Sequence, residues 1–414
     1  MPSTRASTVS IIGAGTMGAG IAQVAAAAGW DVLLSDSGES AASLAIDSIT
    51  SRFDRNVTKG KMSAAERDAA VAHLKVDTTN GDIAHADLLI EAIVEDMDVK
   101  ADVLSAMCEK VSPDCILATN TSSLSVTALG ARIDQSHRVV GMHFFNPAPL
   151  MKLVEIVSGE RTLATVVNQV DAIAQSWGKV TARAADVPGF IVNHVARPYY
   201  LEAFRLVEDG VASPDHVDRV MTEVCGFRMG PFQLTDLIGQ DVNAATTRSV
   251  WEQLGRPPLL EPSPLQESLV TQGNLGRKTG RGVYVYDEAN PSENMLSVNT
   301  PIHPVSLHGT DADALQQFAT RASQTSATFD SIDALILSRV LLALMVQAHL
   351  ACERGVASSK DIDVAMKYGV NYPRGPFEWA AHIGADLCIA ACHTLEQVTQ
   401  SDRFTPPHSL LHME

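Results

Sequence analysis

Two stretches of this chain carry residue types whose spacing does chemistry. The first is Gly13-x-Gly15-x-x-Gly18, which follows the apolar run VSII (9–12) and opens an Ala-rich segment. Its first glycine permits a tight turn, the second lets backbone N–H groups approach a pyrophosphate, and the third allows close helix–strand packing. Glycine turns are common, so the turn alone carries little. Here Asp36 ends the next apolar run, 21 residues after Gly15. A carboxylate at that place accepts hydrogen bonds from an adenosine ribose 2′-hydroxyl and repels a 2′-phosphate, which points to NAD over NADP. The competing reading is a packing turn followed by a solvated aspartate.

The second stretch is HFFNP with His143, followed by Glu155 in MKLVEIV. A carboxylate that orients an imidazole and stabilises the imidazolium makes a general base that works near neutral pH. Oxidising an alcohol with NAD needs such a base, because the hydroxyl proton leaves as hydride leaves carbon. Taken singly, a strand-end His and a Glu in an apolar run read as readily as structural residues.

The elements that position these residues follow from the pattern. VSII, the glycine turn, a helix to about Ala28, Gly29 and the strand DVLLSD give strand, turn, helix, strand. Residues 40–75 read as a helical pair. ADLLIEAI, CILATNTS and RVVGMHFFNP read as strands, and DMDVKADVLSAMCEKV as a helix. The alternation predicts an α/β Rossmann-type, doubly wound parallel sheet.

After Asp186-Val187-Pro188-Gly189 the pattern turns helical, and this region contains a duplication. Residues 191–241 and 336–386 align without a gap at a constant offset of 145, with sixteen identities in 51 positions. Chance would give roughly three. The expected organisation is a dinucleotide-binding domain over 1–186, a first helical domain over 187–287, a linker over 288–328 rich in Pro, Ser, Thr, Asn and Asp, and a second helical repeat over 329–414.

Composition bounds the rest. With 414 residues, 46% of them hydrophobic, and a formal charge of -17, the chain reads as a soluble, acidic, multi-domain protein without the basic patch a nucleic-acid partner needs. The six cysteines show no CxxC pair and no zinc-type spacing with His. They read as reduced thiols of a cytoplasmic protein that binds no metal. MPSTRAST has no apolar core of a signal peptide. The most membrane-like stretch, Ala334 to Ala351, is interrupted by Arg339, Gln347 and His349 and reads as a buried helix.

GAGTMGAG, EAIVE (91–95), NTSSLS (120–125), HFFNPAPLMKLVEIV (143–157), DVPGFIVN (186–193) and GRKTGRG (276–282), in this order, resemble the bacterial 3-hydroxyacyl-CoA dehydrogenases. The likeness runs from residue 9 to about 287 and extends into the repeat, as in duplicated forms that act on 3-hydroxybutyryl-CoA or 3-hydroxyadipyl-CoA. It implies NAD-dependent oxidation of an (S)-3-hydroxyacyl-CoA to the 3-oxoacyl-CoA, in fatty acid or phenylacetate-type degradation. It makes His143 the base and Glu155 its partner. Ser122 holds the substrate oxygen, and Asn193 closes the site from the helical domain. The NAD positions it implies are Gly13, Gly15, Met17 and Gly18 in the turn, with Asp36, Glu95, Lys100, Ser122, Asn146 and Lys278 beyond it. Lys59 and Lys61, in the helical pair, read equally as partners of the CoA phosphates or as surface lysines.

The resemblance has departures. His194 stands where most relatives carry Arg. Asn193 corresponds to Ser338, so the second repeat lacks the closing asparagine and reads as catalytically degenerate, covering the face that single-repeat relatives use to dimerise. A monomer or homodimer with an acyl-CoA substrate, and no nucleic-acid or membrane partner, is expected. Two other readings stay open: a dehydrogenase of a small CoA-free hydroxy acid, and a catalytically inactive binding relative.

Overall fold

The computed structural model describes residues 7–38, 40–77, 82–287, 290–294, 310–324 and 329–413. The first six residues and much of the expected linker (288–289, 295–309 and 325–328) lie outside the described residues. The chain forms two compact units, Met1–Phe190 and Ile191–Glu414. The break between the units falls after the PGF motif, and both helical repeats share one unit.

The first unit runs β1 (Thr8–Ile12), α1 (Thr16–Ala27), β2 (Asp31–Ser35), α2 (Ala41–Thr58), α3 (Ala64–Ala72), β3 (Leu74–Val76), β4 (Leu88–Glu91), α4 (Met97–Cys108), β5 (Ile116–Thr119), α5 (Val126–Arg132), β6 (Val139–Phe144), β7 (Leu153–Ser158), α6 (Ala164–Ser176) and β8 (Val180–Ala185). One sheet has the order β3-β2-β1-β4-β5-β6-β7-β8. Every residue of β1, β4, β5 and β6 is buried, which is why these strands are largely apolar rather than alternating. The order reverses at β1, which has β2 on one side and β4 on the other. A crevice therefore opens at the carboxyl ends of these strands.

The sheet is not wholly parallel, as the sequence reading had it: β6 and β7 pair antiparallel. Only residues 145–152 join them, with no helix to carry the chain back across the sheet, and a parallel step needs a dozen residues or more. This hairpin sets His143 directly opposite Glu155 in the strand register.

The second unit runs α7 (Val192–Val195), α8 (Arg197–Glu208), α9 (Pro214–Arg219), a π-helical stretch Val220–Val224, α10 (Pro231–Ile238), α11 (Gln240–Gln253), α12 (Pro264–Thr271), β9 (Tyr284–Asp287), β10 (Asn290–Asn294), α13 (Thr310–Ala322), α14 (Ser331–Glu353), α15 (Ser359–Gly369), α16 (Pro376–Ile383), α17 (Ala385–Thr399) and α18 (His408–Leu411). Helix α13 arises inside the expected linker. Its Leu315, Phe318, Ala319 and Ala322 are fully buried, so a segment that is polar in composition carries one apolar face. Helix α14 is long and apolar enough to cross a membrane, but it is buried as the central helix of this unit.

The identities between the repeats have structural reasons. Asp218 accepts from Phe232 N (2.9 Å) and Gln233 N (3.0 Å) at the start of α10. Its counterpart Asp363 accepts from Phe377 N (2.8 Å) and Glu378 N (3.0 Å) at the start of α16. A side chain at Gly230 or Gly375 would collide with that carboxylate, which fixes GPF in both copies.

The copies face each other with the self-complementarity of a two-fold interface, in which i meets j and j meets i. Phe227 and its own counterpart Tyr372 stack edge to face at 4.9 Å. Arg339 of the second copy reaches Glu202 of the first at 3.1 Å. In the reciprocal pair, Gln347 Nε2 donates to the carbonyl of His194 at 3.4 Å. At this place the contact is a hydrogen bond to backbone, where the other half of the interface has an ion pair. Glu202 also binds Arg205 and Arg403, each at 2.8 Å. Burial pushes its pKa up, but the three arginines outweigh this and hold it at about 2. Its contribution to stability is therefore complete above the ordinary carboxylate range and fades as pH falls toward about 2. Glu202→Gln leaves Arg205 and Arg403 without their acid and Arg339 with Asp209 alone, and is expected to cost roughly 3–5 kcal/mol, measured by chemical denaturation.

Candidate active site

The glycine turn is built as its spacing requires. Gly13 has φ +103°, and a Cβ there would lie 2.4 Å from the Ala92 carbonyl. A Cβ on Gly18 would lie 1.8 Å from the Gly13 carbonyl, so α1 packs against the turn only without a side chain. At Gly15 the same atom meets nothing within 4 Å, leaving the N-terminus of α1 open to an approaching phosphate. Asp36 is exposed at the end of β2, and its carboxylate accepts from Ala14 N at 2.7 Å and Gly38 N at 2.9 Å. It thus stands against the turn, as a ribose-binding carboxylate must. Met17 is partly buried and packs against the core beneath the turn. These residues fit a dinucleotide.

His143 Nδ1 lies 2.6 Å from Glu155 Oε2, with both side chains buried. The Phe145 and Phe190 rings pack at 4.5 and 5.7 Å from the imidazole. A carboxylate on Nδ1 holds the proton there and leaves the Nε2 lone pair for a substrate.

Ser122 is exposed after β5, and its backbone N–H donates to Glu95 at 2.9 Å. Glu95 also accepts from Thr121 Oγ1 (2.7 Å), Ser123 Oγ (2.9 Å) and Ser123 N (3.1 Å). Burial pushes the Glu95 pKa up, but these bonds and Lys100 outweigh it and hold the carboxyl below its usual range. Lys100 itself is buried, 2.6 Å from the buried Glu91 and 3.3 Å from Glu95. Its ammonium fixes those two carboxylates, so it acts behind Glu95.

In the second unit, Asn193 is half-buried on α7, and its Oδ1 accepts from Arg197 at 3.4 Å. Lys278 is exposed on the GRKTGRG loop and pairs with Asp241 at 2.6 Å. That loop is folded around buried Asp236, which accepts from Val283 N, Tyr284 N and the Tyr286 hydroxyl.

Lys59, Lys61 and Asn146 all line one cleft of about 960 Å³ in the first unit. Arg52, Arg55 and Lys152 line it too, so a chain of formal charge -17 gathers cations here. Buried Nε and Nη2 atoms of Arg52 have no hydrogen-bond partner among the described residues. The sequence reading passed over Arg52; its i, i+3 spacing to Arg55 on α2 was the available signal.

The NAD-binding domain of the 3-hydroxyacyl-CoA dehydrogenases matches residues 8–187, and the C-terminal domain of the same family matches 189–286 and again 335–413. The chain belongs to the 3-hydroxyacyl-CoA dehydrogenase family. As a member it is an NAD-dependent oxidoreductase. It is 38% identical to a 3-hydroxyadipyl-CoA dehydrogenase of Escherichia coli, over 96% of this chain and 95% of that one. A 3-hydroxybutyryl-CoA dehydrogenase of Clostridioides difficile is 40% identical over 68% of this chain and 99% of its own length. The solved structure of an E. coli 3-hydroxybutyryl-CoA dehydrogenase superposes with a TM-score of 0.85 at 37% identity, covering 98% of both chains.

Proposed function

We propose that this member of the family oxidises the 3-hydroxyl of an (S)-3-hydroxyacyl-CoA with His143 as general base. The observation that carries this reading is the 2.6 Å contact of His143 Nδ1 with buried Glu155, which leaves Nε2 as the proton acceptor. Glu155 stabilises the imidazolium. The Ser122 hydroxyl holds the reacting oxygen, its backbone fixed by Glu95, while the Asn193 amide donates to the thioester carbonyl without adding charge. Bound NAD supplies the two-electron acceptor. The glycine turn, Met17, Asp36, Glu95, Asn146 and Lys278 bind it, and Lys100 acts through Glu95. Lys59, Lys61 and the half-buried guanidinium of Arg52 take the phosphates of CoA, since charges on those phosphates satisfy donors that the protein leaves unmatched. The six free thiols favour a reducing, cytoplasmic setting. Because the second repeat covers the first, a monomer is the simplest assembly.

NADH absorbance with (S)-3-hydroxybutyryl-CoA, compared with the free hydroxy acid, tests the reading. Turnover of the free acid alone, or of neither, would sink it. Asp36 gives a further expectation. With NADP it loses its ribose bonds and meets a phosphate of like charge, so kcat/KM is expected to favour NAD by at least about a hundredfold, equivalent to a few kcal/mol. Asp36→Ala narrows the ratio. Equal values for both cofactors in the unmodified enzyme would refute the role of Asp36.

A further inference from the structure

Arg197 is 3% exposed, and no carboxylate lies within ion-pair distance of it among the described residues. Its bonds are long and neutral: Asn243 carbonyl, Thr247 Oγ1 and Asn193 Oδ1, each at 3.4 Å. Its Nε has no partner, and the Tyr200 ring lies 5.0 Å away. The comparably buried Arg339 has two carboxylates, Glu202 and Asp209. A buried cation without an acid is costly, and folded chains keep one for a reason other than stability.

The duplication supplies an internal control. At the offset of 145, the partners of Asn193, Arg197, Asn243 and Thr247 are Ser338, Leu342, Cys388 and Cys392. Leu342 and both cysteines are fully buried. Packing at this position is therefore satisfied by an apolar side chain. The copy that carries the asparagine also carries the guanidinium and its polar cradle; the copy that lost the asparagine lost all of it. Of the polar groups touching Arg197, only Asn193 is not buried, so a ligand reaches the cation past that amide.

We propose that Arg197 is the receptor for a second carboxylate at the far end of the acyl chain, so that the enzyme takes dicarboxylyl-CoA substrates. This rests on the reading that Asn193 holds the substrate. The Asn193 amide oxygen lies 3.4 Å from Arg197 Nη2, so a ligand held by that amide has the guanidinium beside it. In a six-carbon dicarboxylyl chain the terminal carboxyl is five bonds from the thioester carbonyl, a flexible tether that can fold it back to the guanidinium. Arriving beside Asn193, it takes up Nη2 and Nη1 in the bidentate geometry a guanidinium offers.

The test compares kcat/KM for 3-hydroxyadipyl-CoA and 3-hydroxyhexanoyl-CoA, which differ in the terminal carboxylate. The unmodified enzyme should prefer the dicarboxylyl substrate by on the order of 10- to 100-fold. In Arg197→Leu that ratio should collapse to about one or below, with no loss of Tm, because the variant removes an uncompensated charge. Arg197→Lys, which keeps the charge but not the fork, should retain part of the ratio and guards against misfolding of the leucine variant. A ratio near one in the unmodified enzyme overturns the proposal. So does a proportional loss on both substrates in the variants, which would make Arg197 a positioning residue for Asn193. Absence of NADH with either substrate would instead overturn the underlying 3-hydroxyacyl-CoA reading.

Discussion

His143→Ala is expected to lower kcat by on the order of 10²–10⁴ while NADH still binds, the range that loss of a general base commonly costs. The two effects separate because they have different origins. The glycine turn and Asp36 lie at the ends of β1 and β2, whereas His143 and Glu155 are held by the β6–β7 hairpin. Steady-state turnover and a fluorescence titration of NADH check both halves. Glu155→Gln should fall in between, since an amide still orients the ring but cannot stabilise the imidazolium. Near-normal turnover of His143→Ala would remove the histidine from the mechanism.

The second large effect is an asymmetry between the repeats. Asn193→Ala is expected to lower kcat/KM by on the order of 10²-fold or more, the cost of removing a fixed donor from a closed site, with little change in NAD affinity. Ser338→Ala should stay within about twofold, because the Ser338 hydroxyl is fully buried and faces the Leu315 carbonyl of α13 at 3.5 Å. Leu342→Asp should instead damage folding or solubility, since that side chain is fully buried. Kinetics of the two alanine variants side by side decide it: equal damage in a folded protein would put the second repeat in the active site.

How much of this was legible in the sequence depends on which interactions are local. The glycine turn, Asp36 and the strands of the sheet were readable because periodicity and turn chemistry report on the backbone. The His143–Glu155 pair was readable as a pair of suitable residue types, but its register came from a hairpin that the expectation of a parallel sheet had passed over. Lys100 was placed near NAD by resemblance alone, because no local pattern says that a helical lysine turns inward to a buried Glu91. Helix α13 hid in a segment whose composition suggested a linker, although Leu315, Phe318 and Ala322 lie on one face. Arg197 had a signal in the duplication itself, where Leu342 replaces it, but burial was needed to give that substitution meaning.

The pseudo-symmetric face of the first repeat also sets a problem during synthesis. Arg339 meets Glu202 across 137 positions of chain, so the ribosome must complete α14 before α8 gains its cover. At about 5–20 residues per second, the apolar side of the nascent first repeat waits roughly 7 to 27 seconds in solvent. During that interval the second repeat of a neighbouring chain, identical to the one still to come, fits equally well. A domain-swapped dimer is therefore the misassembly this architecture invites at high expression, and slower initiation, which spaces ribosomes apart on the message, is the condition that disfavours it.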